Sequence, residues 1–309
     1  MILYFCFSVL SNIIFSITCS EIYSSLPLFP EDAVIQEYRE KFHHNLKCNT
    51  TTRIPCFLWM TTKNVSELQP MYSWIPPLIE RNPDWYIRIV DDTEMINFME
   101  TVFRGTKLLW AFNKINPVLP PVKTDIWRYA VLYVYGGGYI DTDSNIYTPL
   151  RKVVRPDDSF LFGIESRRPT VCYHTYIHQA NRSASSRLPN TDYVQWFFFS
   201  EPGHPFLKRM MENIARLVEL EYEHKSALTP PDLFNKIICL TGPGVFTHSI
   251  MEVDTELNGN VSFRACGRHF NHYETQFKML KNRQIPFHYS AITYSRRSKT
   301  TQLLQEYIS

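Results

Sequence analysis

Apolar positions along this chain change period repeatedly, from short strand-length runs to stripes at helical spacing. RIPCFLWM (53–60) is an apolar run behind a threonine cluster and suits a buried strand. QPMYSWIPPLIERN (69–82) holds a helix opening, and WYIRIV (85–90) alternates, with β-branched residues, as a second strand. Asp91 and Asp92 precede TEMINFMETVF, apolar at helical steps, so one of the two aspartates is the predicted N-cap. From Pro121 to Gly138 the run PVKTDIWRYAVLYVYGGG places Ile126, Tyr129, Ala130, Tyr133 and Val134 three and four residues apart. That is a helix against a core, ended by glycine. YID then reads as a short strand that delivers Asp141 to its carboxyl end. Asp125 and Arg128, three apart, share one helical face and point at whatever lies above that strand.

Further on, SFLFGIES (159–166) and VCYHTYIH (171–178) are strand candidates. HPFLKRMMENIARLVELEYEH (204–224) is a helix that tolerates Pro205 in its first turn, and TGPGVFTHSIM (241–251) is a turn followed by a helix opened by Pro243. The order strand, helix, strand, helix predicts an α/β fold with a mostly parallel sheet. No repeat or linker divides the chain.

Composition adds bounds. At 309 residues and 44% hydrophobic the chain can bury a large core, which excludes disorder and collagen. The formal net charge is +2, and the longest basic stretch is Arg296-Arg297-Ser298-Lys299, so nucleic acid is not an expected partner. Residues 1–20 carry no charged side chain and read as a signal peptide or a signal anchor, which leaves cleavage and single-pass type II membrane attachment as alternatives. The remaining division is a stem or lead-in at 21–50, one large domain of catalytic size at 51–295 and a tail at 296–309. Either reading of the leader delivers the chain to the secretory lumen. Four N-x-S/T acceptors, at Asn49, Asn64, Asn181 and Asn260, agree with that compartment. Of seven cysteines, five lie beyond the leader, at spacings that match no zinc site and determine no disulfide pairing.

The chemistry concentrates in YGGGYIDTDSN (135–145), where three of only 10 glycines stand before a D-x-D. Carboxylates at i and i+2 lie on the same side of an extended segment, and their oxygens suit a hard divalent cation. A lone D-x-D is more often a polar turn. A calcium loop starting at DTDSN fails, because Ile146 and Lys152 stand where it needs glycine and an acid. A phosphatase with Asp141 as nucleophile lacks a later acidic pair in the right place, since Asp157-Asp158 follows Arg155-Pro156 and not a strand.

The surroundings decide between these. Thr124-Asp125, Arg128-Tyr129, Tyr135-Gly136-Gly137, Tyr139, Asp141, Asp143 and Pro149-Leu150 together resemble glycosyltransferase family 32, the DXD-motif sugar-binding-region family. The resemblance runs from about residue 53 to about residue 290. QWFFFSEPGHPFLKRMM and TGPGVFTHSI look most like the fungal initiation-type α-1,6-mannosyltransferases within it. Met60 and Thr62 depart from those relatives, which usually carry glutamine and tryptophan there, and Gly138 is an additional glycine.

This resemblance implies a GT-A-type Rossmann-like fold that binds a nucleotide sugar and a divalent metal, Mn²⁺ or Mg²⁺. It implies a retaining transfer of a hexose, mannose from GDP-mannose above all, to a glycan or glycolipid acceptor in the Golgi lumen. UDP-galactose or UDP-glucose is the alternative donor, and a member that binds without transferring is the alternative function. Asp143, Asp141 and His288 are the expected metal ligands, with His269 and His272 as rivals for the last place. Asp125 and Arg128 would clamp sugar and diphosphate, Asp141 would also contact the ribose, and Thr61, Trp59, Gly137 and Gly242 would line the donor, with a core role for Trp59 and a plain tight turn at Gly242 as the alternatives. No dedicated general base is implied.

Overall fold

In the computed structural model, which describes residues 25–44, 51–64, 75–142, 144–146, 148–164, 172, 192–224, 227–228, 230–266, 277–279 and 301–302, the predicted alternation of strand and helix is present. Helix α1 (Asp32–His44) is followed by β1 (Phe57–Thr61), α2 (Ile75–Arg81), β2 (Tyr86–Val90) and α3 (Asp92–Val102). Next come α4 (Lys107–Lys114), α5 (Pro120–Tyr135), β3 (Gly137–Ile140), β4 (Ser144–Ile146), α6 (Leu150–Val153) and β5 (Phe160–Ile164). The chain continues through β6 (Tyr193–Ser200), α7 (Pro205–His224), β7 (Ala227–Leu228), α8 (Pro230–Leu240), α9 (Pro243–Glu256) and β8 (Arg264–Cys266). Two short strands, β9 (Phe277–Met279) and β10 (Thr301–Gln302), complete the described elements.

The main sheet has the order β2-β1-β3-β6-β5-β8. Five of its six strands run the same way, and β6 alone is antiparallel to its neighbours β3 and β5. The expected α/β architecture with a mostly parallel sheet is therefore the one observed. The period of two sorts each strand between two cores. Phe57, Trp59, Tyr139, Phe160, Phe162 and Phe198 face one apolar layer, packed against α3, α4, α5, α7 and α9. Leu58, Met60, Ile140, Leu161, Phe197 and Phe199 face the other, closed by α2 and α6. Layers on both faces explain why the central strands read as unbroken apolar runs, while edge strand β2 alternates.

Asp91 is the predicted cap: its Oδ1 accepts from the N–H groups of Thr93 and Glu94, at 3.0 Å each. Helix α5 goes beyond the expected one-sided stripe, since every residue from Asp125 to Val134 is buried. A helix apolar on all sides needs cover on all sides, and residues expected as a stem supply it. Ile35 of α1 is buried, Phe42 stacks on Tyr135, and Arg39 donates to the Val134 and Tyr133 carbonyls at the end of α5. In the expected tail, Thr301 and Gln302 pair with β7. Of the strand candidate VCYHTYIH only Cys172 is described, and it is helical.

The glycines after α5 have separate tasks. Gly136 caps the helix; Gly137 has φ +96, and a Cβ there would lie 2.6 Å from the Cβ and carbonyl oxygen of Phe57. Gly138, the extra glycine, lets β3 approach β6: its Cβ would lie 2.2 Å from Cε1 of Phe199.

Cys172 and Cys239 form a disulfide across 67 residues, and Cys56 is disulfide-bonded as well. Acceptors Asn64 and Asn260 are exposed, whereas Asn49 and Asn181 lie outside the described residues. Among the described residues no helix is long and apolar enough to cross a membrane; the predicted leader lies outside them.

One buried histidine makes stability pH-dependent. His204 sits against the rings of Phe160 and Phe206, at 4.8 and 4.7 Å between centroids, and its Nδ1 accepts from the Phe206 N–H. Burial pushes its pKa down to about 3. The unfolded chain binds this proton below about pH 6.5 while the folded chain does not, so its contribution is full above pH 6.5 and is lost as pH falls toward 3. The loss is on the order of 5 kcal/mol. Urea unfolding at stepped pH should show His204→Asn with a shallower acid slope than wild type; equal slopes would contradict it.

Candidate active site

The helix-turn-strand segment α5–β3 brings its polar residues to the carboxyl end of β1 and β3. Thr61 ends β1, Tyr139 lies on β3, and Asp141 follows β3 directly. Thr61 Oγ1 is 3.2 Å from the Tyr139 hydroxyl, which donates to Asp141 Oδ1 at 2.7 Å. Arg128 reaches over from α5, its guanidinium carbon 4.4 Å from the centre of the Tyr139 ring. Its Nη2 stands 3.2 Å from Asp125 Oδ1 and 3.1 Å from Asp141 Oδ1, so one nitrogen serves two carboxylates.

The predicted Asp125–Arg128 pair thus forms, and it is buried, not a surface ion pair. Behind it stand the first residues of the two family-like stretches QWFFFSEPGHPFLKRMM and TGPGVFTHSI, and the sequence assigned neither residue a role. Gln195 of β6 donates from Nε2 to Asp125 Oδ1 at 2.8 Å and accepts Arg128 Nη1 at its backbone carbonyl, at 3.2 Å. Thr241 donates its hydroxyl to Asp125 Oδ2 at 2.8 Å, and its carbonyl accepts from the Tyr129 hydroxyl, also at 2.8 Å. A signal existed for Gln195: a buried amide inside the apolar strand YVQWFFFS requires partners.

Electrostatics follow from this enclosure. Burial pushes the Asp125 pKa up, against the pull of Arg128, Thr241 and Gln195 toward the ionised form. Burial would lower Arg128, but Asp141, Tyr139 and Asp125 hold it above its ordinary value, so it stays charged. Tyr139 and Tyr129 are held well above 10, by burial first, and remain hydrogen-bond donors. Two neighbouring donors on α5, Trp127 Nε1 and Arg128 Nε, are buried without a partner among the described residues.

After Asp141 the chain turns, and the Ser144 N–H donates to the Asp141 carbonyl at 3.0 Å. Asp141 presents a partly exposed carboxylate, its side chain 32% accessible, a hard oxygen donor of the kind Mg²⁺ or Mn²⁺ takes. Asp143, His288, His269 and His272 lie outside the described residues, and no metal-sized group of three His, Cys, Asp or Glu occurs among the described ones.

Of the expected donor contacts, Trp59 is turned into the core. Trp59 is 3% exposed, donates its indole N–H to the Gly136 carbonyl at 3.1 Å and stacks among Phe42, Phe57 and Tyr135. Its ring is spent in the core. Gly137 faces Phe57, and Gly242 faces the end of α8, where its Cβ would lie 2.9 Å from the Ile238 Cα. The second acidic pair is structural too, since Asp158 binds Arg264 and caps the Arg155 N–H.

Comparison with known proteins agrees with the position of this cluster. Residues 57–161 match the model of the family described as "Glycosyltransferase sugar-binding region containing DXD motif". The chain is similar to the initiation-specific alpha-1,6-mannosyltransferase of Saccharomyces cerevisiae, 24% identical over 224 residues, covering 65% of this chain and 43% of that protein. The Schizosaccharomyces pombe enzyme of the same name is 23% identical over 64% of this chain and 48% of its own length. For the Candida albicans enzyme the identity is 24%, over 56% of this chain and 45% of that protein. The chain spans less than half the length of these curated relatives. Among solved structures, PaToxG Glycosyltransferase covers 74% of this chain and 80% of its own at 17% identity, with a TM-score of 0.40, too low to superpose one site on the other. Thr61, Asp125, Arg128, Tyr139 and Asp141 all fall within the residues that match the model of this sugar-binding region.

Proposed function

We propose that the chain is a retaining hexosyltransferase of the secretory pathway that moves mannose from GDP-mannose to a glycan or glycolipid acceptor. The observation that supports this reading best is Arg128, a buried permanent cation held between Asp125 and Asp141 inside the DXD region. Mannosyltransferase names among the relatives favour mannose.

In this reading Arg128 places positive charge against the diphosphate of the donor, where negative charge grows as the glycosidic bond breaks. Asp125 fixes the guanidinium from behind, and Tyr139 fixes the Asp141 carboxylate by donating to its Oδ1. Asp141, with Asp143 and His288, would hold Mn²⁺ or Mg²⁺, which supplies Lewis-acid stabilisation of the diphosphate. Thr61, beside the Tyr139 hydroxyl, borders the nucleotide. The acceptor hydroxyl attacks from the leaving-group side, the sugar–phosphate bond breaks, and the hydroxyl proton passes to the departing diphosphate.

The test is turnover of GDP-mannose, UDP-galactose and UDP-glucose, each with Mn²⁺ and with EDTA. GDP-mannose is expected to turn over, to fall by at least about 10²-fold in EDTA and to recover with Mn²⁺. Preference for a UDP-sugar would move the donor assignment within the same reaction. Absence of turnover and of metal-dependent binding for all three would sink the reading.

A further inference from the structure

We propose that Gln195 and Thr241 are positioning residues of this site: they hold the Asp125 carboxylate aligned and ionised so that it fixes Arg128. The inference rests on the transferase reading for its kinetic arm and on geometry for the rest.

Both oxygens of Asp125 are engaged from outside its own helix, Oδ1 by the Gln195 amide and Oδ2 by the Thr241 hydroxyl. Gln195 touches both members of the ion pair, giving its amide to Asp125 and its carbonyl to Arg128 Nη1. Its Nε2 also lies 3.2 Å from the Thr241 carbonyl, which the Tyr129 hydroxyl shares. The groups facing Asp125 are therefore Arg128 and Tyr129 from α5, Gln195 from β6 and Thr241 from the turn before α9. A buried carboxylate without such donors takes up a proton, and a neutral Asp125 no longer anchors the guanidinium.

The turn that carries Thr241 is itself held tightly. Gly242 packs on Ile238, and a Cβ on Gly244 would lie 2.4 Å from Cys172 Sγ and 2.9 Å from the Ile238 carbonyl oxygen. The Cys172–Cys239 disulfide closes two residues before Thr241. T-G-P-G is thus a joint that sets the height of one hydroxyl above Asp125.

Thr241→Val removes the hydroxyl at nearly constant shape, Thr241→Ser retains it, and Gln195→Met removes the amide. Thr241→Val and Gln195→Met should each lower kcat/KM for GDP-mannose about 10- to 100-fold, mainly in kcat, because Arg128 is misplaced where transition-state charge develops. Thr241→Ser should stay within about 3-fold of wild type. Gln195→Met carries the comparison if Thr241→Val does not fold. Wild-type turnover that survives both variants within about 3-fold overturns the inference while leaving the transferase reading intact. A wild type that turns over no nucleotide sugar overturns the transferase reading instead, and the inference is then read from the Asp125 carboxyl resonance in a ¹³C NMR titration. A higher midpoint in the variants supports the positioning role, and an unchanged midpoint overturns it.

Discussion

Arg128→Met is expected to lower kcat/KM for donor turnover by at least about 10³-fold, the scale seen when a cation facing a transferring phosphate is removed. The same change leaves two carboxylates, Asp125 and Asp141, with no cation between them, although one nitrogen now touches both. Breaking a buried pair in this way costs about 3–5 kcal/mol of stability, so loss of activity alone would be ambiguous. The double variant Arg128→Met/Asp125→Asn separates the effects, because it removes the stranded buried charge. It should recover most of the unfolding free energy in urea and none of the activity. Arg128→Lys is informative too. A point charge cannot reach the Gln195 carbonyl and both carboxylates with one fork, so a loss of about 10²-fold is expected even with charge retained. Activity of Arg128→Met within about 3-fold of wild type would remove this residue from the reaction.

The second large effect concerns the disulfide. Closing a loop of 67 residues removes unfolded-state entropy worth about 4 kcal/mol in the chain-entropy model. Cys172→Ala/Cys239→Ala should therefore lower the unfolding free energy by about that amount, measured in urea against the oxidised wild type. Reduced wild type should lose at least as much, because reductant also opens the bond at Cys56. A difference below about 1 kcal/mol would show that the bond constrains little. Because Cys239 lies two residues before Thr241, the same variant tests whether the joint under Asp125 depends on the bond: donor turnover should fall further than Thr241→Ser makes it fall.

Some of the fold is legible in short stretches of sequence. β1, β2 and the cap at Asp91 follow from alternation and from a side-chain oxygen ahead of a helical stripe, and both are properties of a few consecutive residues. Glycines at 136 and 137 end α5 and permit β3 because only glycine takes those backbone angles cheaply. Gly138 was not explicable that way. Its reason is the Phe199 ring on a strand that follows some sixty residues later and pairs antiparallel with β3. The predicted stem misled for a related cause: α1 is polar along much of its length, and its few apolar residues matter only because α5 leaves a side to be covered.

Trp59 makes the same point at the site. Its position two residues before the end of β1 suits a stacking surface as well as a core, and the carbonyl of Gly136 together with the aromatic rings around it turns the indole inward. Thr61, two residues on, ends β1 and meets Tyr139.

By itself the sequence determined the α/β alternation and the linkage of Asp125, Arg128 and Asp141 through one helix, one glycine turn and one strand. Those relations span at most 16 residues and depend on helix pitch and backbone sterics. Only the tertiary structure decided that Arg128 would be a buried cation and not a surface one, and which groups would hold it there. Gln195 and Thr241 lie 70 and 116 residues from Asp125, and no local rule ties them to it. They meet because a carboxylate taken out of water must find donors wherever the packed sheet and helices supply them.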